Sequence, residues 1–186
     1  EDDIHQVNAD AIGISRRQVK TVTYGWMYGA GDEKIGYTFD DQLTPKASKK
    51  KGKEIRQAFV DAIPGMSDLL DSISTAAERG YIKSIDGRKI KLDSKHKALN
   101  YLLQSGAGCI AKRWRVINQE TIKSIGIEAY QLAFIHDELQ FETHPNNADD
   151  LRTSLVHAAT AAGEYYKLRI RIDAEAKQGS NWAEVH

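Results

Sequence analysis

The chain has a single cysteine, Cys109, and no long uninterrupted run of apolar residues. One cysteine excludes an internal disulfide and a cysteine-based metal cluster, and it is typical of a protein from a reducing compartment. A membrane-spanning helix needs about 20 consecutive apolar residues, so the sequence predicts no membrane segment and no membrane partner. The first residues, EDDIHQ, are acidic and do not resemble a secretory signal peptide.

The chain also lacks a net charge, because 26 Lys and Arg balance 26 Asp and Glu. This balance argues against a nucleic-acid-binding protein that is basic throughout. The charges are nevertheless clustered: residues 46–56 hold six cations and one anion, and residues 79–97 hold seven cations and two anions. Such tracts either neutralise phosphates or form a solvated face, and we favour the solvated face for the lysine run at 49–51.

Periodicity and turn residues predict a helical first half and a second half of strands and helices, which is an α+β fold. Residues 1–29 read as mostly helical, with Asp10 or Ser15 as the capping residue, and the glycines of 29–31 end this region. The other predicted elements are a short helix in 32–43, an exposed turn over 43–52, helix over 53–80 interrupted at Pro64-Gly65, hairpins over 81–92 and 129–143, helices over 94–124 and 146–168, and a last strand over 168–176.

Four side chains recur every fourth residue in the predicted helix near the start of the chain. They are Arg16, Lys20, Tyr24 and Tyr28. Four residues advance a helix by about 6 Å, so these side chains form one stripe of two cations followed by two rings. The stripe is either ordinary surface above an apolar face, or a site for a ligand that is anionic at one end and flat at the other.

The second predicted hairpin carries acidic residues at its turn, in the sequence His136-Asp137-Glu138. A turn between two strands holds carboxylates open to solvent, which suits Mg²⁺ with its preference for oxygen ligands. Acidic residues are also common in turns for purely local reasons. Taken alone, this triplet therefore leaves a metal site and an ordinary turn both open.

Three polar side chains, His96, Asn100 and Gln104, follow one another at a spacing of four on the predicted helix over 94–124. Side chains of this kind either contact base edges and sugars in a minor groove or form ordinary helix surface. The glycines of residues 29–36 do not form a phosphate-binding loop, because the segment follows a helix and lacks the Gly-Lys-Ser/Thr ending.

Several motifs in the correct order resemble the family A DNA polymerases, the group of bacterial DNA polymerase I. The pattern Arg16-x-x-x-Lys20-x-x-x-Tyr24-Gly25-x-x-Tyr28-Gly29 resembles the nucleotide-binding helix of the family's fingers. Later motifs match Leu99-Asn100-x-x-Leu103-Gln104-Ser105, then His136-Asp137-Glu138, then the closing Asn181-Trp182 and His186. The phrases YGAGDEKIG and HKALNYLLQSGAG resemble the phage replicative branch of that family.

The resemblance implies a site for an incoming deoxynucleoside triphosphate along the stripe. Arg16 and Lys20 are expected to hold its phosphates, with Lys20 also protonating the leaving pyrophosphate. Tyr24 is expected beside the sugar and base, where a tyrosine tolerates sugars without a 3′-hydroxyl. Tyr28 is expected at the templating end, and His5 at the phosphates.

The same resemblance implies catalysis by two Mg²⁺ ions, with Asp137 as a ligand supported by Glu138, and primer-template DNA as partner. The residues expected to contact DNA are Arg88, His96, Asn100, Gln104 and His136. The implied fold is a helical fingers region over 1–90, followed by a palm portion over 91–186 built on an antiparallel sheet. Such a protein is expected in the cytoplasm of a bacterium or a phage-infected host.

A motif like DxSxxELR, which supplies the family's first catalytic aspartate, does not occur in the sequence. We therefore expect a C-terminal polymerase fragment or a split subunit that is inactive until an N-terminal segment supplies this aspartate. One alternative is a polymerase-derived module that binds nucleic acid without catalysis. A single-subunit RNA polymerase shares the Arg/Lys helix, but Tyr24-Gly25 and the His-Asp-Glu turn favour DNA.

Overall fold

The computed structural model describes residues 3–185, without the side chain of Ile4. The chain divides into two compact units: one runs up to Lys83 and includes Lys89–Leu103, and the other comprises Ser84–Arg88 and the residues from Gln104 onward. The described elements are α1 (Ile4–Ile12), α2 (Arg16–Met27), α3 (Asp32–Tyr37), α4 (Pro45–Ala62), α5 (Met66–Ala77), β1 (Tyr81–Lys83), β2 (Lys89–Lys91), α6 (Ala98–Ile125), β3 (Ala129–Ile135), β4 (Glu138–Thr143), α7 (Ala148–Tyr165) and α8 (Trp182–Val185).

Helices α1 and α2 are each started by a side-chain cap. The Asp3 carboxylate accepts the backbone N–H of His5 at the start of α1. Ser15 begins α2 with a reciprocal capping box, because its hydroxyl accepts from the Gln18 N–H while the Gln18 side chain accepts from the Ser15 N–H. The predicted cap at Ser15 is confirmed, whereas the alternative Asp10 is wrong because it lies inside α1.

The exposed turn predicted over 43–52 is wrong, because this segment is the first part of a continuous helix. Thr44 caps α4 by accepting the Ala47 N–H, and Pro45 occupies the first turn, where its missing N–H costs nothing. Ser48 and Gly52 are buried against α3, so the lysines between them are turned outward. The short helix predicted in 32–43 is present as α3 but ends at Tyr37.

One apolar core joins α2, α3 and α4. The rings of Trp26 and Phe59 pack edge to face, with centroids 5.1 Å apart, and such a pair contributes about 0.5–1.5 kcal/mol beyond its buried area. Val22, Ile35 and Ile55 complete the buried part of this cluster. The core covers one side of α2 and leaves the other side available for a ligand.

A second cluster joins α5 and the first hairpin to the start of α6. Its buried members are Ile73, Ala77, Ile82 and Ala98. The interruption predicted at Pro64-Gly65 is confirmed, since α4 ends at Ala62 and α5 begins at Met66 after Gly65 with a φ of 78°. The first predicted hairpin is also confirmed, with Ile82 opposite Ile90 and Gly87 at a φ of 84° in the connection.

The other unit is built on α6 and α7. The indole N–H of Trp114 donates to the Leu155 carbonyl over 2.8 Å, and the Ser154 hydroxyl donates to the buried Asn118 side chain over 2.8 Å. The closely packed face of α7 consists of small residues, among them Ala158, Ala159, Ala162 and Gly163. The predicted helices over 94–124 and 146–168 correspond to α6 and α7, within a few residues at their ends.

The last predicted strand, over 168–176, is wrong for the described structure. The segment is irregular, and within residues 3–185 the second sheet contains β3 and β4 alone. The Ile172 carbonyl accepts from the Thr160 hydroxyl of α7 over 3.0 Å rather than from a strand. The apolar residues alternate over 168–176 because one side of this extended segment packs on α7.

The helices and small antiparallel sheets confirm the α+β class predicted from the sequence. Among residues 3–185, no helix is both long enough and apolar enough to cross a membrane. The assignment of residues 1–90 to fingers and 91–186 to palm stays a prediction.

Candidate nucleotide and nucleic-acid sites

Helix α2 buries one side and exposes the predicted stripe on another. Its core-facing residues Val19, Val22 and Trp26 follow helical spacing. Tyr24 keeps 46% of its surface exposed, and Tyr28, directly after the helix, keeps 64%. Arg16 and Lys20 are exposed as well. The stripe is therefore surface in the described structure, open to a ligand that carries both phosphate and a ring.

The first cation of the stripe already has an anionic partner. The Nε and Nη2 atoms of Arg16 each lie 2.6 Å from Oδ2 of Asp3. The hydrogen bonds from Arg16 are the main reason why the pKa of the Asp3 carboxyl lies below its usual value. This contact joins residues thirteen positions apart across two helices, so it leaves no signal in the sequence.

The start of α1 also reaches the first ring of the stripe. The ring centroids of His5 and Tyr24 lie 6.1 Å apart with an interplanar angle of 52°. The Nδ1 atom of His5 is buried and has no hydrogen-bond partner among the described residues. Three of the five predicted nucleotide-binding residues, His5, Arg16 and Tyr24, thus lie along one surface of α1 and α2.

The beginning of α6 contacts the end of α2. The Asn100 side-chain amide donates to the Met27 carbonyl over 3.2 Å, which satisfies an acceptor left free at the helix end. The His96 carbonyl lies beside Gly29, 4.0 Å from the position a Cβ would take there. His96 and Gln104 are exposed, whereas Asn100 is half-buried. Asn100 therefore connects the start of α6 to the end of α2, one residue before Tyr28.

The segment entering α6 holds an ionic network with a testable acid dependence. Lys97 and Tyr101 donate to the two oxygens of Asp93 over 2.7 and 2.9 Å. These hydrogen bonds, chiefly that from Lys97, hold the pKa of Asp93 below its ordinary value. The resulting stability is present above the unfolded-state pKa, about 3.9, and is lost as pH falls through the lower folded-state pKa.

We expect Asp93→Asn to flatten the acid limb of the stability profile. Wild type should lose stability as pH falls below about 4, and the variant should lose less over the same interval. Urea midpoints measured from pH 6 to pH 2.5 test this, with Asp71→Asn on the exposed side of α5 as the control. Parallel acid limbs for wild type and Asp93→Asn would contradict the expectation.

The acidic turn lies at the tip of the β3–β4 hairpin, as predicted. Ile135 pairs with Glu138, so the connection consists of His136 and Asp137. His136 has a φ of 53°, a conformation that the first position of a tight hairpin turn requires. Asp137 is exposed, and the half-buried Glu138 accepts from the Gln140 amide over 2.7 Å.

Two adjacent carboxylates at an open turn are a suitable, though partial, donor set for Mg²⁺. Within the described chain, no group of three His, Cys, Asp or Glu side chains is arranged to hold a metal ion. Asp137 and Glu138 can therefore supply two of the oxygen ligands, and the remaining positions fall to water, phosphate or other protein groups.

The connection between β1 and β2 presents Arg88. Its backbone N–H and Nε donate to Asp86 over 3.2 and 2.5 Å, and its Nη2 lies 3.3 Å from the Cys109 sulfur. The buried thiol also contacts the Ser84 hydroxyl at 3.6 Å. Arg88 still exposes 65% of its side chain, so part of its guanidinium can meet a phosphate. The Asp86-Gly87 signal predicts the position of Arg88, whereas its contact with Cys109, twenty-one residues later, leaves no signal in the sequence.

The end of the chain is partly described. In the predicted Asn181-Trp182 motif, the Asn181 amide donates to the Glu184 carboxylate over 2.8 Å at the start of α8. His186, the last residue of the predicted motif, lies outside the described residues.

The family model described as DNA polymerase family A matches residues 1–184. The chain belongs to DNA polymerase family A. This agrees with the motif order read from the sequence, and the match covers both compact units.

Known family A members are similar to the chain over nearly its whole length. The DNA-directed DNA polymerases of Enterobacteria phage T3 and Escherichia phage T7 are 34% and 33% identical to it, over 99% of the chain. The chain spans 29% of the length of each of these relatives. The polymerase domain of Pol1 from M. smegmatis, solved with DNA primer-template and dNTP, superposes with a TM-score of 0.76 at 26% identity, covering 93% of this chain and 33% of that one.

Proposed function

We propose that the chain is the C-terminal fingers and palm portion of a DNA-directed DNA polymerase. The reaction would be template-directed transfer of a deoxynucleoside monophosphate to a primer 3′-hydroxyl. The observation that carries this proposal is the exposed stripe on α2, in a chain that matches the family over residues 1–184. The names of the phage relatives support it.

In this proposal the stripe binds the incoming nucleotide. Arg16 and Lys20 neutralise the phosphates, and Lys20, an exposed ammonium without a described ion pair, delivers a proton to the departing pyrophosphate. The Tyr24 ring packs by the sugar and base and accepts sugars that lack a 3′-hydroxyl. Tyr28 lies at the templating end, and His5 contacts the phosphates from α1.

Asp137, supported by Glu138, would be this chain's contribution to binding two Mg²⁺ ions. Bound Mg²⁺ would lower the pKa of the primer hydroxyl and stabilise charge on the phosphate in the transition state. A further aspartate would come from a polymerase segment outside this chain, so that the chain alone does not polymerise. The family relationship supports this division of ligands, as does the donor pair at the hairpin tip.

The primer-template would be held by side chains that present donors to phosphates, sugars and base edges. These are Arg88, His96, Asn100, Gln104 and His136. The M. smegmatis polymerase domain was solved with primer-template DNA and dNTP, which supports both partners. Because the relatives come from phages and bacteria, the proposed place of action is a bacterial or phage-infected cytoplasm.

Nucleotide binding tests the proposed stripe directly. We expect Lys20→Ala to weaken dATP binding by about tenfold to a hundredfold, because a charge-assisted contact to phosphate is worth about 1.5–3 kcal/mol. Lys53→Ala on α4 is the matched control, since it removes another exposed lysine in the same unit. Equal losses in both variants, or none in either, would count against the stripe. Calorimetric titration gives the dissociation constants.

A further inference from the structure

The salt bridge between Asp3 and Arg16 occupies one edge of the guanidinium at which a phosphate could bind through two donors. Nε of Arg16 donates to Oδ2 of Asp3 over 2.6 Å, and Nη2 lies 2.6 Å from the same oxygen. Arginine binds phosphate best with two parallel N–H donors from one edge of its fork. An incoming phosphate that uses this edge must therefore displace the carboxylate.

The Asp3 carboxylate is itself held in place by the start of α1. Its other oxygen, Oδ1, accepts the backbone N–H of His5 at 2.9 Å and that of Gln6 at 3.4 Å. These bonds cap the helix and do not depend on Arg16. When Arg16 turns to another anion, Asp3 therefore stays beside the stripe as a fixed negative charge.

The pair is also reachable by a ligand. The side chains of Arg16 and Asp3 keep 51% and 42% of their surface exposed, so exchange requires no opening of the core. The nearby contact of His5 with Tyr24 shows that the start of α1 follows the stripe from its cationic end to its first ring. A nucleotide lying on the stripe would therefore pass beside Asp3.

We propose that Asp3 is a competing counter-ion for the nucleotide site, which holds Arg16 in the nucleotide-free state and lowers the affinity for triphosphate. This proposal rests on the proposed function, because it requires that the stripe bind a nucleoside triphosphate. Arg16 is neutralised before the ligand arrives, which leaves Lys20 as the attracting charge of the stripe. Binding then exchanges one anion for another at Arg16, and Asp3 repels the triphosphate afterwards.

The variant Asp3→Asn separates charge from structure. Asparagine caps a helix about as well as aspartate, so the start of α1 is preserved while the competing charge is removed. We expect Asp3→Asn to tighten dATP binding by about two- to fivefold, the range set by exposed ion pairs. Asp10→Asn removes a carboxylate from the same helix without touching Arg16, and it should leave the affinity unchanged.

The decisive experiment is a cycle of four proteins: wild type, Asp3→Asn, Arg16→Ala, and the double variant. Calorimetry with dATP, and with inorganic tripolyphosphate as a ligand without base or sugar, gives their dissociation constants. We expect Arg16→Ala to weaken binding, and Asp3→Asn to tighten it less in the Arg16→Ala background than in wild type. This coupling between the two substitutions is the quantity a purely structural role of Asp3 would not produce.

Each other result has a defined meaning. Unchanged or weaker binding by Asp3→Asn, together with weaker binding by Arg16→Ala and Lys20→Ala, would overturn the competing role and leave the nucleotide site standing. Tightening of equal size in both backgrounds would also overturn it, since Arg16 would then not be involved. Saturable binding that no stripe variant changes, or no binding by any of the proteins, would overturn this inference and the proposed function together.

Discussion

Replacing Asp137 with alanine is expected to abolish primer extension when this chain is combined with an N-terminal family A segment that carries an aspartate in a DxSxxELR-like motif. Asp137 is exposed at the tip of the β3–β4 hairpin, outside the buried core of the described residues, so its replacement should leave the fold intact. Metal-bound carboxylates support a transition-state stabilisation of several kcal/mol, so the rate should fall by about 10³-fold or more. Single-turnover extension of a labelled primer with Mg²⁺ and dNTPs measures this.

The control for this experiment must remove a carboxylate without disturbing a metal site. Asp150→Ala serves, because Asp150 is an exposed residue in the first turn of α7. Loss of a favourable charge near a helix N-terminus costs only about 0.3–1 kcal/mol of stability. Primer extension should be retained by Asp150→Ala. It should be lost in every Asp137 variant that lacks a carboxylate. Retained extension by Asp137→Ala would remove this residue from the proposed chemistry.

Replacing Gly52 with alanine is expected to destabilise the fold strongly. A Cβ at Gly52 would lie 1.7 Å from the Asp32 carbonyl oxygen and 2.9 Å from the Gly36 nitrogen, both backbone atoms of α3. Backbone cannot move aside as a flexible side chain can, so α3 and α4 would have to separate. That contact is also fixed by the Ser48 hydroxyl, which donates to the Glu33 carbonyl over 2.7 Å. We expect a loss of about 3 kcal/mol.

A matched glycine in the same chain shows whether the loss is due to close packing. Gly108 also lies inside a helix, α6, but an added Cβ there meets no atom within 4 Å. Gly108→Ala should be neutral or stabilising by up to about 1 kcal/mol, because alanine favours the helix. Urea unfolding of both variants gives the comparison. A small effect of Gly52→Ala would mean that α3 and α4 do not pack this closely.

Elements whose signals are local could be predicted from the sequence. Ser15 caps α2, Gly29 follows its end, and Asp86-Gly87 marks the first hairpin; each depends on side chains within a few residues. The start of α4 was missed although Thr44 and Pro45 are a regular helix beginning, because the lysine run after them resembles a solvated loop.

Features that depend on tertiary contact could not be predicted. The alternation over 168–176 resembles a strand, but the segment instead packs Ile172 against Gly163 of α7. The same limit applies to the candidate site. The spacing of four residues identified Arg16 as part of a stripe. Its ion pair with Asp3 depends on the packing of α1 against α2, which the spacing does not predict. Charge pairs across two helices leave no periodic pattern in a sequence.

The most direct test of the central proposal is primer extension by the wild-type chain, alone and mixed with the N-terminal family A segment, in the presence of Mg²⁺ and dNTPs. The proposal predicts no extension by either part alone and extension by the mixture. Extension by this chain alone would contradict the proposed division of the catalytic aspartates. No extension by the mixture, with primer-template binding retained, would instead indicate a polymerase-derived module that binds nucleic acid without catalysis.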